Sequence, residues 1–342
     1  MVFPKNDFYK QSCKDANINK SLLADMFNEI DEQKINIHSM MLLNDGQKVF
    51  DAYAYDYDEF SKANVYSISK SFSSIAIGIL CDLKIISVED YILFFFSNEI
   101  KEYNPAYEKL QIKHLLTMTT GQEKDVFMDL TPKSPFFEMF FNVPITSEVG
   151  TVFMYNNFAS FMLSAIVTKV TGKSLNDFLN EYLYKIIGIE KPHWDHVKDF
   201  SFGCTGLHVS VNDLARFGLL ILNDGTWQEQ EVVSKDYLTL ALKGHIKEET
   251  SLLYYGYHFW ISDYVMAAGM FRQYVIIDKQ YNLVFVCTAR EERDILYLYN
   301  RFIRKAKAKG WDYCDISIRD YTRRFTQNSK DLILKEKTEQ DI

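Results

Sequence analysis

A serine followed three residues later by a lysine can turn an ordinary alcohol into a nucleophile. Tyr66-Ser67-Ile68-Ser69-Lys70-Ser71-Phe72 contains such a pair. A hydroxyl attacks poorly near neutral pH until a base removes its proton. On a helix, positions i and i+3 share one face about a turn apart, so the amine of Lys70 comes within reach of Ser67. A lysine among apolar neighbours and small hydroxyls suits the task, because burial disfavours the charged form of an amine. The pattern S-x-x-K arises roughly once by chance in a chain of this length, so the pair needs supporting company.

The flanking residues predict the helix that would hold it. Ile68, Phe72, Ile75, Ile79 and Leu83 recur at steps of four and three, a core-facing stripe. Ser67, Lys70, Ser71 and Ser74 form a polar stripe beside it. Upstream, Ile37 to Tyr55 reads as a hairpin about Asn44-Asp45-Gly46. Downstream, a helix closes on Gly121, and an irregular, Phe-rich stretch from Gln122 to Gly150 has the character of a binding-site wall. Helices follow to Thr171-Gly172, over Leu175 to Tyr184, and over Asp213 to Leu222. Tyr254–Ile261, Gln273–Ile277 and Leu283–Thr288 read as strands, and Ile295 to Ile303 as a closing amphipathic helix. Strands gather at the two ends and helices in the middle. The expected fold is therefore α+β, an antiparallel sheet flanked by helices with a mostly helical insertion. The expected boundaries are 1–66 with 200–305 for the sheet, 67–199 for the helical part, and 306–342 for a charged, peripheral extension.

Composition narrows the class. With 342 residues the chain can bury a large core, and 47% hydrophobic with 25% charged residues is ordinary for a globular protein. Twenty-six Phe and 22 Tyr imply a heavily packed interior. A net charge of −8 and a pI near 5.5 argue against nucleic acid or an anionic membrane as partner. Five scattered cysteines without C-x-x-C disfavour a disulfide framework or a cysteine-rich zinc site. A reducing compartment fits them, and the first residues lack the apolar run of a signal peptide, so a cytoplasmic location is expected.

The company of Ser67 and Lys70 is specific. The only S-x-x-K is joined by the only Y-x-N, Tyr155-Asn156-Asn157. Around them stand Leu115–Gly121, Gly150–Phe153, Val170–Leu175 and Asp213–Gly218. Together and in this order they resemble the serine β-lactamase and penicillin-binding-protein superfamily. Within it, the pattern looks most like the branch of class C β-lactamases, certain esterases, D-amino-acid peptidases and nylon-oligomer hydrolases. The similarity covers roughly residues 35–305. It implies a β-lactamase-like fold and hydrolysis of a small ester, amide or peptide, with no metal and no organic cofactor.

The resemblance also implies roles. Ser67 is the nucleophile that forms an acyl-enzyme and Lys70 its base. Tyr155 relays the proton to the leaving group and helps activate water. Asn157 hydrogen-bonds Lys70 or a substrate amide. The third motif departs from the family's K-T-G or H-x-G: the matching residues are Ala267-Ala268-Gly269, followed by Met270. Ala267 and Gly269 would line the substrate, and the backbone N–H groups of Ser67 and Met270 would form the oxyanion hole. The cation expected to hold the carboxylate of a β-lactam is missing, so an esterase or amidase is favoured over a lactamase. A D-amino-acid peptidase stands second. A catalytically silent binding protein with the same fold is the rival from another class.

Other candidates read as ordinary structure. His193-Trp194-Asp195-His196 has a metal-like look, but on a proline-flanked loop without further ligands it reads as solvated. Arg301, Arg304, Lys305, Lys307 and Lys309 read as a solvated helix face, and Tyr254, Tyr255 and Tyr257 as strand packing. Phe136–Phe141 fits core packing and a pocket wall equally well.

Overall fold

The computed structural model describes residues 1–251 and 253–340, the side chain of residue 340 excepted. The chain forms two compact units. One comprises Met1–Val65, Val209–Asn223 and the chain from Ala268 on; the other comprises Tyr66–His208 and Asp224–Ala267.

The first unit is built on strands in the order Gln273–Asp278, Leu283–Ala289, Ile37–Asn44 and Gln47–Tyr53, each antiparallel to its neighbour. Every residue of the two central strands is buried, whereas Gln47–Tyr53 alternates. Burial of successive residues means that both faces are covered, since neighbouring side chains point opposite ways. Asp45 and Gly46 both take positive φ (51° and 81°), the turn whose twist matches a two-residue hairpin. The helix Val211–Leu222 lies on this sheet. Its Gly218 leaves room for Val284, whose methyl would stand 2.6 Å from an added Cβ. That packing places 209–223 with the sheet.

Residues after Lys305 are not the peripheral extension expected. Helices Ile318–Asn328 and Lys330–Gln340 bury Phe325 and Ile333. Thr326 Oγ1 donates to the Tyr53 carbonyl at 2.6 Å, and Glu336 meets His38 at 2.8 Å. Part of the basic cluster is likewise internal. Arg304 Nε donates to buried Asp278 at 2.9 Å, and Lys307 Nζ to the Ala16 carbonyl at 2.6 Å.

The second unit is organised around the helix Ile68–Asp82. Residues Ile68 through Leu80 are all buried, its serines included. The apolar stripe lies in the core as expected through Ile79, and the polar stripe beside it is enclosed as well. Leu83 is 45% exposed, since the helix ends at Asp82 before that stripe position is reached. The serines are satisfied internally: Ser71 Oγ donates to the His258 carbonyl at 2.7 Å and Ser73 Oγ to the Gly203 carbonyl at 2.8 Å. Helices Asn157–Thr171 and Lys235–Ala241 pack against it. The Tyr237 ring of the latter occupies the space beside Gly78, which is why 224–267 belong to this unit rather than to the sheet.

The Phe136–Phe141 segment resolves into core. Its rings meet Phe158, Phe161 and Tyr107 at 5.1–5.7 Å. The expected strand Tyr254–Ile261 is two short pieces, Tyr254–Tyr255 and Trp260–Ile261, separated by a bend with His258 at φ 62°. All five cysteines carry free thiols. Among the described residues, no helix is long and apolar enough to cross a membrane.

Candidate active site

Ser67 sits immediately before the first residue of the buried helix, with αR backbone angles. It follows Tyr66, which is held at φ 48°. A bulky aromatic in the left-handed region is strained, and such strain persists only where the surroundings impose it. Here it delivers Ser67 into the first turn. The Ser67 N–H makes no hydrogen bond among the described residues, as the first N–H groups of a helix do when nothing caps them. It is a free donor at the positive end of a helix.

Lys70 is 1% exposed. Its Nζ stands 3.0 Å from Ser67 Oγ, 2.8 Å from Asn157 Oδ1 and 2.8 Å from the Cys204 carbonyl oxygen. Asn157 begins the helix Asn157–Thr171. Asp125 reaches that helix end from the irregular stretch. Its carboxylate accepts from the Asn157 backbone N–H and from Asn157 Nδ2, both at 2.9 Å, and from the Phe158 N–H at 3.3 Å. It thus caps the helix from outside, where an anion is favoured. Sequence reading missed Asp125 and the Cys204 carbonyl. A lone loop aspartate and a backbone oxygen carry no pattern that spacing could expose.

Tyr155 differs from its expected placement. The Lys70 amine lies over its ring, 4.8 Å from the centroid, and the phenolic hydroxyl makes no hydrogen bond among the described residues. The ring is held among aromatics. Trp260 is parallel to it within 5° at 6.4 Å, Tyr255 is edge-on at 6.4 Å, and Phe153 packs on both of those. Two further groups surround the lysine. Burial first, and the Lys70 charge second, hold the His258 imidazole well below its ordinary value, so it is neutral near pH 7. Its Nε2 is 3.1 Å from Ser160 Oγ. Burial pushes the Cys204 thiol up to about 12 against the pull of Lys70, which keeps it from competing as a nucleophile.

The structure brings Ser67, Lys70, Tyr155 and Asn157 together in the second unit. Ala267, the last residue of that unit, is buried in the strand Val265–Gly269. Gly269 and Met270 belong to the first unit. There Gly269 lies against the Val65 carbonyl, which would stand 2.3 Å from an added Cβ. The close approach it permits is thus to the protein's own backbone. Met270 is 62% exposed, at a turn where Phe271 and Arg272 both take positive φ.

The structure thus places a buried lysine within hydrogen-bonding distance of a serine at a helix start, with an aromatic ring beside the amine, on an α+β fold. Comparison with known proteins gives the family. The Beta-lactamase family model matches residues 23–301, so the chain belongs to the Beta-lactamase family of serine hydrolases. No curated protein sequence matches it significantly. Among solved structures, it is similar to a protein from Bacillus anthracis described as a 6-aminohexanoate-dimer hydrolase. That pair has a TM-score of 0.70 and 19% identity, over 90% of this chain and 88% of the other. The octameric penicillin-binding protein homologue from Pyrococcus abyssi gives 0.70 and 19%, over 84% and 77%. A family VIII carboxylesterase gives 0.68 and 14%, over 84% and 97%. At these identities the likeness establishes a β-lactamase-like fold.

Proposed function

We propose that this protein hydrolyses a carboxylic ester or a small amide through an acyl-enzyme on Ser67. The observation that carries the reading is the hydrogen-bond arithmetic of Lys70. An uncharged amine has two N–H donors and one lone pair. Asn157 Oδ1 and the Cys204 carbonyl can only accept, so they take the two donors. Lys70 Nζ also reaches Ser67 Oγ at 3.0 Å, so whenever the amine is uncharged its lone pair faces the hydroxyl whose proton a base must remove.

Ser67 Oγ then bonds to the carbonyl carbon while its proton passes to Lys70. The Ser67 N–H steadies the developing oxyanion, a contribution of about 3–4 kcal/mol for one such donor. Collapse expels the alcohol or amine, which takes the proton back from Lys70, directly or through the Tyr155 hydroxyl. Water enters by the same route reversed and releases the acid. The relay through Tyr155 requires its ring to turn from the resting position.

A carboxylesterase is the first choice, in keeping with the carboxylesterase among the similar structures. A peptidase for D-amino-acid peptides is second. Ala267 stands where relatives carry a cation, which speaks against efficient β-lactam hydrolysis. The unbonded Tyr155 hydroxyl favours one further reading, a silent binding protein. A fluorophosphonate probe separates these. The wild type labels and Ser67→Ala does not; an unlabelled wild type would leave the binding protein. p-Nitrophenyl esters, D-peptides and nitrocefin, assayed in parallel, sort the substrate class.

A further inference from the structure

The segment His193-Trp194-Asp195 reads as a solvated loop in sequence, but it folds into a short strand, His193–Trp194, paired antiparallel with Leu207–Val209. His193 lies directly opposite His208 in that pairing. Directly opposed residues of an antiparallel pair project to the same face, and so do residues two apart along one strand. His193, Asp195 and His208 therefore converge. His193 Nε2 is 2.9 Å and His208 Nε2 is 3.6 Å from the same carboxylate oxygen, Asp195 Oδ1. One donor atom from each of the three lies within 4.8 Å of the other two.

We propose that His193, Asp195 and His208 form a binding site for a divalent transition-metal ion of the zinc type. Imidazole and carboxylate are the ligands such an ion takes, at about 2.0–2.2 Å. Two ligands at that range on a tetrahedral ion stand about 3.3–3.5 Å apart, and the observed 2.9 and 3.6 Å bracket this. Three protein ligands leave at least one position for water, and the side chains are open to it: His193 is 64%, Asp195 39% and His208 33% exposed.

The backbone beneath is fixed independently of any ion. Asp195 N–H donates to the Gly206 carbonyl at 2.9 Å, and Trp194 Nε1 to the Thr205 carbonyl at 2.8 Å. Gly206, at φ 80°, gives the Asp195 carboxylate its seat, since an added Cβ would stand 2.7 Å from Oδ2. The same stretch supports Lys70 through the Cys204 carbonyl, and its Leu207 N–H donates to Ser69 Oγ at 3.2 Å. An ion bridging His193 and His208 clamps the strand pair and so steadies that support. The inference does not depend on the proposed hydrolase activity.

The test uses the tag-free full chain, with Zn2+ in calorimetry and Co2+ in visible absorption. One Zn2+ per chain is expected, together with the intense bands of four- or five-coordinate Co2+. His193→Ala, Asp195→Asn and His208→Ala each weaken Zn2+ binding by at least the roughly 10–100-fold that loss of an outer-shell partner costs. His196→Ala, exposed nearby on a separate hairpin, retains it. Unchanged far-ultraviolet dichroism shows that the variants fold. Absence of saturable Zn2+ binding by the wild type, or equal binding by the wild type and His208→Ala, overturns the site.

Discussion

Asn157 donates through Nδ2 to Asp125 at 2.9 Å, and this bond decides which end of its amide meets Lys70. With the nitrogen held by a carboxylate, Oδ1 must face the amine. Under the proposed mechanism Asp125 is thus a positioning residue, three hydrogen bonds removed from Ser67 through Asn157 and Lys70. Asp125→Ala frees the amide to turn, and misplacement of a catalytic group can lower turnover by about 100-fold. The expected result is a fall of that order in kcat and in the rate of fluorophosphonate labelling, with little change in KM and partial recovery in Asp125→Asn. Labelling at the wild-type rate in Asp125→Ala would remove Asp125 from the mechanism.

Tyr155→Phe separates structure from chemistry. The hydroxyl makes no hydrogen bond at rest among the described residues, so its loss should change the unfolding free energy by no more than about 0.5 kcal/mol. If the phenol relays protons, hydrolysis falls by about 10²–10⁴-fold. Full turnover in the variant assigns the proton path to Lys70 alone.

Stability should fall in mild acid because of His114. Its Nδ1 accepts the Gln111 N–H at 3.1 Å. Burial, helped by the neighbouring Lys113 charge and opposed by Glu89, lowers the imidazole to about 4. The unfolded chain takes up a proton near the ordinary value of about 6.5, while the folded ring refuses it. The contribution is complete above that value and is lost as pH falls toward about 4. Urea midpoints from pH 7 to pH 4 should decline less steeply in His114→Asn, which keeps an acceptor but cannot titrate. Identical slopes would discount the residue.

Phe325 tests the C-terminal helices. The ring is 2% exposed and lies 6.3 Å from Phe27 in the sheet-bearing unit. Phe325→Ala should cost about 3–5 kcal/mol by chemical denaturation. A loss under 1 kcal/mol would return this segment to the surface.

The local geometry around Ser67 was more legible in the sequence than the packing. The Ser67–Lys70 spacing placed both groups correctly because one helical turn determines their separation. The hairpin at Asp45-Gly46 was readable because its turn demands particular residues. The seating of residues 306–342 was not, since charged helices bury only a few widely spaced side chains such as Phe325 and Ile333. Tyr155 was found by motif, but its orientation depends on Trp260 and Tyr255, more than 90 residues away in sequence. His208 escaped notice for a similar reason: only strand pairing brings it to His193.

The enclosure of Ile68–Asp82 has a consequence for how this protein can change. Even one methyl at Gly78 would strike the Tyr237 ring at 2.5 Å. Selection for a new function therefore has little freedom along the rod that Ser67 opens. Innovation must come from the surrounding loops, while Ser67 stays moored.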